Sequence, residues 1–135
     1  MSNKKFTGNS GARQPKKQAE RVTGVLLTVD VAHPPLPQER VEEILRESLT
    51  LVRNSAHLRV LKIVHGYGSS GAGGHTKTVV LNWTYQNRSR LRAVIQGEQY
   101  NLSEREVQTM RIEIGPYRDN DLEVANPGIT ICWVK

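Results

Sequence analysis

Glycine and histidine dominate the segment from His65 to His75, which reads HGYGSSGAGGH and is called the glycine segment below. An apolar run at 59–64 precedes it and a predicted helix at 76–88 follows it, so the order is strand, loop, helix. Free amides in such a loop, together with the positive end of the next helix, can hold an anion. Glycine allows positive φ and a close approach of backbone to ligand. We therefore predict a phosphate-binding site beside an imidazole, a group that exchanges protons near neutral pH.

The predicted phosphate site draws on amides, hydroxyls, a cation and an aromatic ring. Its members are Gly66, Tyr67, Gly68, Ser69, Ser70, Gly71, Gly73, Gly74, His75 and Lys77. The serines can hydrogen-bond a phosphate, Lys77 can add a positive charge, and Tyr67 can stack on a base. The alternative is that the glycines serve turn geometry alone and that His75 and Lys77 are merely solvated.

Three further side chains are candidates for acid–base chemistry, namely His65, His33 and Asp30. Cleavage of a phosphodiester requires activation of a nucleophile, stabilisation of the charge that develops on the phosphate, and a proton for the leaving oxygen. Either histidine can act as acid or base, and Asp30 can orient one of them. In RNA the 2′-hydroxyl can be the nucleophile. The alternative for His65 is a hydrogen bond that only fixes the shape of the loop.

Other anion-binding and metal-binding patterns are absent from the sequence. In a P-loop the lysine directly follows the last glycine, whereas Lys77 follows Gly74 by three positions. The acidic residue that a dinucleotide site needs about 20 positions downstream is missing. No cluster has the spacing of zinc ligands, so we expect no tightly bound metal and leave a loosely held Mg²⁺ open.

Positive charge is concentrated at the N-terminus. The chain has a formal net charge of +6, of which residues 1–21 contribute six basic groups and one acidic group. This segment has almost nothing apolar to bury, so we predict a disordered basic tail at 1–21 and one folded domain at 22–135. A basic arm of this kind often contacts phosphate backbones; the alternative is a solvated tail that only keeps the protein soluble.

Hydrophobic periodicity predicts an α/β domain. Strands are expected at 22–31, 59–64, 91–96 and 128–134, main helices at 37–54 and 76–88, and a short helix at 103–112. The sum is a two-layer sandwich of about four strands and two main helices in the order βαβαβ(α)β, whose first two strands are parallel.

The remaining features indicate a cytoplasmic protein with no membrane partner. The longest apolar stretch, 22–32, is too short to span a bilayer and contains Asp30. The one cysteine, Cys132, lies in an apolar run and is predicted to be a buried structural thiol.

The stretch 22–135 resembles a Smr domain, the small MutS-related domain. One motif of that family is an apolar strand followed by H-G-x-G-x-G. Here His65, Gly66 and Gly68 match it, and the third glycine falls one position late at Gly71. The NPGITI sequence at 126–131 resembles the closing strand of the family.

A second family motif, Asp-x-His at the end of the first strand, is altered. Asp30 and His33 stand three positions apart, and Ala32 occupies the place of the histidine that is implicated in cleavage. In a regular strand, residues three apart point to opposite faces. A bulge or turn before Pro34 would bring His33 back toward Asp30.

The resemblance implies a fold like the C-terminal domain of translation initiation factor three, and it implies nucleic-acid binding. Some members of the family are endonucleases that nick DNA or cleave RNA, and others act on ribosomes. Two alternatives remain open from the sequence: a non-catalytic DNA-, RNA- or ribosome-binding module, and a domain that binds a phosphate ligand or another protein.

Overall fold

The computed structural model describes residues 20–66 and 71–135. Five strands and three helices lie within these ranges: β1 Glu20–Thr23, β2 Leu26–Asp30, α1 Gln38–Asn54, β3 Val60–Val64, α2 Gly71–Gln86, β4 Leu91–Gln96, α3 Arg105–Ile114 and β5 Ile129–Val134. Single 3₁₀ turns precede and follow β4 at Arg88–Arg90 and Gly97–Gln99. The protein is an α/β sandwich with one open mixed sheet, which confirms the predicted fold class.

The strands lie in the order β1-β2-β3-β5-β4. β2 and β3 are parallel and are joined by α1, as predicted, whereas β1, β4 and β5 each pair antiparallel to a neighbour. The single strand predicted at 22–31 is wrong. Two strands form a hairpin there, because Gly24 adopts a φ of +60° and turns the chain back on itself. β1 begins at Glu20, inside the segment predicted as tail; residues 1–19 lie outside the described part of the chain.

Helices α1 and α2 cover one face of the sheet. α1 buries one stripe at helical spacing, formed by Val41, Ile44, Leu45, Ser48, Leu49 and Val52. α2 buries Val79, Val80 and Trp83, as predicted. These side chains pack against alternate residues of the strands, such as Leu27 and Leu61, and against Cys132. That thiol is fully buried, which raises its pKa to about 12 and confirms its structural role.

Helix α3 and the segment 97–128 cover the opposite face. The second hydrophobic core consists of Val107 and Met110 of α3, of Tyr100, and of strand residues that point to this face, among them Ile131 and Trp133. The predicted helix at 103–112 is therefore confirmed, displaced by two residues. None of the described helices is long and apolar enough to cross a membrane.

A buried ionic network holds the irregular segment 115–128 to the sheet. Lys62, in the middle of β3, is 3% exposed, and its Nζ donates to Asp119 at 2.7 Å and to Asp121 at 2.6 Å. The Tyr100 hydroxyl donates to the other oxygen of Asp119 at 2.9 Å. Burial alone would raise the pKa of Asp121, but hydrogen bonds from Lys62 and Asn126 outweigh it and lower that pKa. The loop is thus fixed by charge as well as by apolar contact.

Replacing Lys62 by methionine should destabilise the protein by about 3–5 kcal/mol, because the buried Asp119 and the partly buried Asp121 would lose their cation. The measurement is urea unfolding at pH 7. A triple variant, Lys62→Met with Asp119→Asn and Asp121→Asn, should recover most of the loss. A single Lys62→Met variant with unchanged stability would contradict this account of the loop.

Candidate functional site

The parallel pairing of β2 and β3 brings their C-terminal ends to one edge of the sheet, called the His33 edge below. Asp30, the last residue of β2, is the register partner of Val64, the last residue of β3. His33 follows the first of these strands, and the glycine segment follows the second. The first strand–helix–strand unit therefore places both predicted motifs side by side, at the position where open α/β sheets bind ligands.

A tight turn after β2 pairs His33 with Asp30. One oxygen of Asp30 accepts the backbone N–H of Ala32 at 2.8 Å and that of His33 at 3.0 Å. The His33 ring nitrogen Nδ1 lies 3.1 Å and 3.0 Å from the two carboxylate oxygens of Asp30. Because the chain leaves strand geometry at Asp30, the three-residue spacing puts both side chains on one side. We call these two residues the Asp30–His33 pair.

The pair presents a reactive nitrogen to solvent. The His33 side chain is 70% exposed and that of Asp30 is 31% exposed. A carboxylate only accepts hydrogen bonds, so a neutral ring donates from Nδ1 and carries its lone pair on Nε2. The described residues offer Nε2 no hydrogen-bond partner. A carboxylate that fixes the tautomer of an exposed imidazole is the arrangement that a general base requires.

His65, the other predicted catalytic histidine, lies in the interior. Its relative exposure is 0%. Nδ1 donates to the Gly66 carbonyl at 2.6 Å, and Nε2 lies 2.8 Å from the Thr130 hydroxyl of β5. That hydroxyl is also 3.1 Å from the side-chain amide of Gln96, at the end of β4. The structure therefore matches the alternative reading of this residue, a histidine that fixes the base of the loop.

The backbone beside His65 is also committed. The N–H groups of His65 and Gly66 both donate to the Gly128 carbonyl, at 2.9 Å and 3.1 Å. Gly66 has a φ of +76°, which explains the need for glycine there. The Gly66 amide, which was predicted to bind phosphate, is paired with the Gly128 carbonyl in this structure.

The rest of the glycine segment divides into two parts. Tyr67, Gly68, Ser69 and Ser70, all predicted phosphate contacts, lie outside the described residues. Gly71, Gly73 and Gly74 lie in α2, which begins five residues earlier than the sequence indicated. Their amides belong to the first helical turn, where N–H groups have no partner within the helix. The positive end of α2 therefore lies at the His33 edge, although a shorter loop than predicted leads into it.

Lys77 and His75 occupy different environments on α2. Lys77 is half-buried, and its Nζ donates to the Pro127 carbonyl at 3.1 Å and lies 3.8 Å from Glu98. Its charge is thus partly balanced, and its contact holds the loop before β5 in place. His75 is exposed. Of the two, His75 is the more accessible, since the Lys77 side chain is 25% exposed.

The loop before β5 packs closely on the turn after β4. A Cβ atom added at Gly97 would lie 1.7 Å from the Asn126 carbonyl oxygen, so no larger residue fits. Thr130, the partner of His65, and Gln96, which is bonded to Thr130, were not predicted as site residues. The available signal was a single threonine inside an otherwise apolar strand. Within ranges 20–66 and 71–135, no group of three or more His, Cys, Asp or Glu side chains could hold a metal ion.

Comparison of this chain with protein-family models, curated proteins and solved structures finds no match in any of the three. The resemblance to Smr domains therefore stays a prediction, carried by the motifs alone.

The protein should become less stable as the pH is lowered, and His65 is the cause. Burial lowers the pKa of this histidine below its ordinary value of 6.5, although its hydrogen bond to Gly66 opposes the shift. The unfolded chain thus takes up the proton more readily than the folded one. Stability is fully present above about pH 6.5 and is lost as the pH falls toward the lower pKa of the folded state.

Urea unfolding of the unaltered protein and of His65→Gln between pH 7.5 and 5 checks this expectation. The unaltered protein should lose up to about 1.4 kcal/mol per pH unit below pH 6.5 that the variant does not lose. Parallel pH profiles for the two proteins would show that His65 does not titrate with unfolding.

Proposed function

We propose that this chain binds nucleic acid at the His33 edge and cleaves a phosphodiester bond there, with His33 as the general base. The observation that carries the proposal is the Asp30–His33 pair, in which both carboxylate oxygens lie within 3.1 Å of Nδ1 and the His33 side chain is 70% exposed. The motif likeness to Smr domains supports the choice of nucleic acid as substrate. A cytoplasmic location belongs to the same proposal.

Charge on the phosphate would be met by two features of this edge. The first turn of α2 points its amides toward the edge, and a helix N-terminus favours a bound anion. The second feature is the N-terminal segment, since residues 1–19 carry five basic residues and no acidic residue. β1 runs antiparallel to β2 with Glu20 opposite Val29, so this basic segment joins the fold one residue from Asp30.

RNA is the substrate whose cleavage requires the fewest protein groups, because its own 2′-hydroxyl can serve as the nucleophile. Nε2 of His33 takes the proton from a 2′-hydroxyl, whose oxygen attacks the adjacent phosphorus. The bond from phosphorus to O5′ breaks, and O5′ leaves with a proton that the imidazolium or water supplies. The products are a 2′,3′-cyclic phosphate and a 5′-hydroxyl. Asp30 holds the ring in the correct tautomer and stabilises the imidazolium that forms.

A second function, nucleic-acid binding without cleavage, is favoured by one observation. His65 is sealed in the interior with both ring nitrogens paired, so it cannot act beside His33 as a second acid or base. The same edge then serves only as a binding surface, and cleavage assays separate the two functions.

Cleavage should depend on His33 and Asp30. The assay incubates the purified full chain with a structured RNA and with supercoiled plasmid, and follows the products by gel. His33→Ala should lower the cleavage rate about 10²–10⁴-fold, because the general base is lost. Asp30→Asn should lower it about tenfold or more, since an amide nitrogen facing Nδ1 favours the wrong tautomer.

The matched control is His57→Ala, because His57 is equally an exposed histidine but lies before β3, at the far edge of the sheet. It should cleave at the unaltered rate. Cleavage by His33→Ala at the unaltered rate would remove the proposed mechanism. Binding without cleavage by the unaltered chain would instead select the non-catalytic function.

A further inference from the structure

An open groove of 210 Å³ lies between the second half of α1 and the end of α2. Its lining consists of Arg46, Leu49, Thr50, Arg53, Asn87 and Arg90. Three of these six side chains are guanidinium groups and none is a carboxylate. We call this cavity the arginine groove.

The groove lies at an edge of the sheet where the nearby charged side chains are basic, called the basic edge below. β2, β3 and β4 all run in the same direction, so they begin together at the edge opposite the His33 edge. The segments that lead into β3 and β4 span 53–59 and 86–90. Together they contain four arginines and no acidic residue, namely Arg53, Arg59, Arg88 and Arg90. The acidic side chains nearest the ends of these strands, Asp30 and Glu98, lie at the other edge.

The guanidinium groups of the groove are available to a ligand. Arg46 and Arg53 are both exposed to solvent. Arg90 makes one long contact of 3.3 Å with the Asn87 side chain. Asn87 is itself fixed, because its Nδ2 donates to the Trp83 carbonyl at 2.9 Å. The groove thus has a hydrogen-bonded floor and exposed cationic walls, and a planar guanidinium suits a phosphate.

A stacking surface adjoins the groove. The Arg88 guanidinium lies 4.0 Å from the centroid of the Tyr85 ring, and it is held there by a 2.7 Å hydrogen bond to the Tyr85 carbonyl. Tyr85 is 65% exposed, which is unusual for so large a side chain. An exposed aromatic ring beside arginines is a feature that unpaired bases recognise by stacking.

Helix α2 connects the groove to the His33 edge without a negative charge. Its sequence, GAGGHTKTVVLNWTYQ, has no acidic residue. His75, Thr78, Asn82 and Tyr85 are all exposed and follow one another at helical spacing along one stripe. The helix has 16 residues and is therefore about 24 Å long.

We propose that the arginine groove binds phosphates of a single-stranded polynucleotide whose chain runs along the exposed stripe of α2 to the His33 edge. This inference rests on the proposed function for the identity of the ligand, but it concerns a different surface. Positive charge attracts the backbone, the polar stripe offers hydrogen bonds to it, and Tyr85 with Arg88 offers a stacking surface to a base. A protein partner with an acidic surface would use the charge but would not need the stripe or the ring.

The test measures binding by fluorescence anisotropy with a labelled 20-nucleotide single-stranded RNA, in the full chain, at several salt concentrations. The double variant Arg53→Gln with Arg90→Gln should raise the Kd about tenfold at low salt. It should also reduce the slope of log Kd against log salt by about one to two units, because up to two phosphate contacts are lost. The control is Arg105→Gln with Arg118→Gln, which removes the same charge from two exposed arginines of the α3 side and should change the Kd less than about twofold. All four positions are exposed, so circular dichroism melts should match.

The outcomes separate this inference from the proposed function. If the two double variants weaken RNA binding equally, or if Arg53→Gln with Arg90→Gln still binds RNA tightly, the arginine groove is not the RNA site. Either result leaves the proposed role of His33 in cleavage unaffected. If only the groove variant loses RNA affinity while His33→Ala cleaves normally, the groove is supported as an RNA-binding site and His33 is not the general base. An unaltered chain that binds no RNA overturns both. Tighter binding to an acidic peptide than to the RNA would assign the groove to a protein partner and overturn the polynucleotide.

Discussion

The buried imidazole of His65 is the contact on which the geometry of the His33 edge depends. It joins three elements that are distant in sequence: the end of β3 through its own backbone, β5 through Thr130, and β4 through the neighbouring Gln96. The Gly128 carbonyl accepts two amides from the same place. These bonds fix the backbone at residues 65 and 66, and α2 begins at Gly71. His65 therefore ties the C-terminal ends of β3 and β4 to the start of β5, next to the His33 edge.

The two faces of the sheet are closed by different means. Under α1 and α2 the contacts are apolar, and alternate strand residues simply meet two amphipathic helices. On the other face, α3 is short and the segment 115–128 has no regular structure, so Lys62 and its two carboxylates supply part of the closure. Buried charge has a desolvation cost that only well-formed partners offset. That face therefore tolerates little change in the position of its loop, and the same loop carries Gly128.

Periodicity was sufficient for the elements whose apolar pattern is local. β4 has the bounds that its sequence indicated, and α1 ends at Asn54 as expected. The hairpin at Gly24 was missed because the run from 22 to 31 is almost continuously apolar, and one glycine is weak evidence for a turn. The start of α2 was placed late because glycines at 71, 73 and 74 are poor helix formers, whose low propensity the surrounding packing overrides.

The site was less accessible from the sequence because its decisive contacts join remote positions. The burial of His65 could not be predicted locally, because Thr130, the hydroxyl that pairs with its ring inside the protein, stands 65 residues away. The carboxylates that meet Lys62 stand 57 and 59 residues away. The spacing of Asp30 and His33, by contrast, was a local question. Regular strand geometry would separate them, and the answer depended only on where β2 ends.

The β1–β2 hairpin has a consequence for the lysines and arginine of residues 1–19. Because β1 runs antiparallel to β2, those five cations are covalently tethered beside the Asp30–His33 pair and share its diffusion. Under the proposed function, a polynucleotide bound to these cations would reach the imidazole by an intramolecular step instead of a second encounter from solution. The hairpin would then couple the charge of the N-terminal segment to the chemistry of His33.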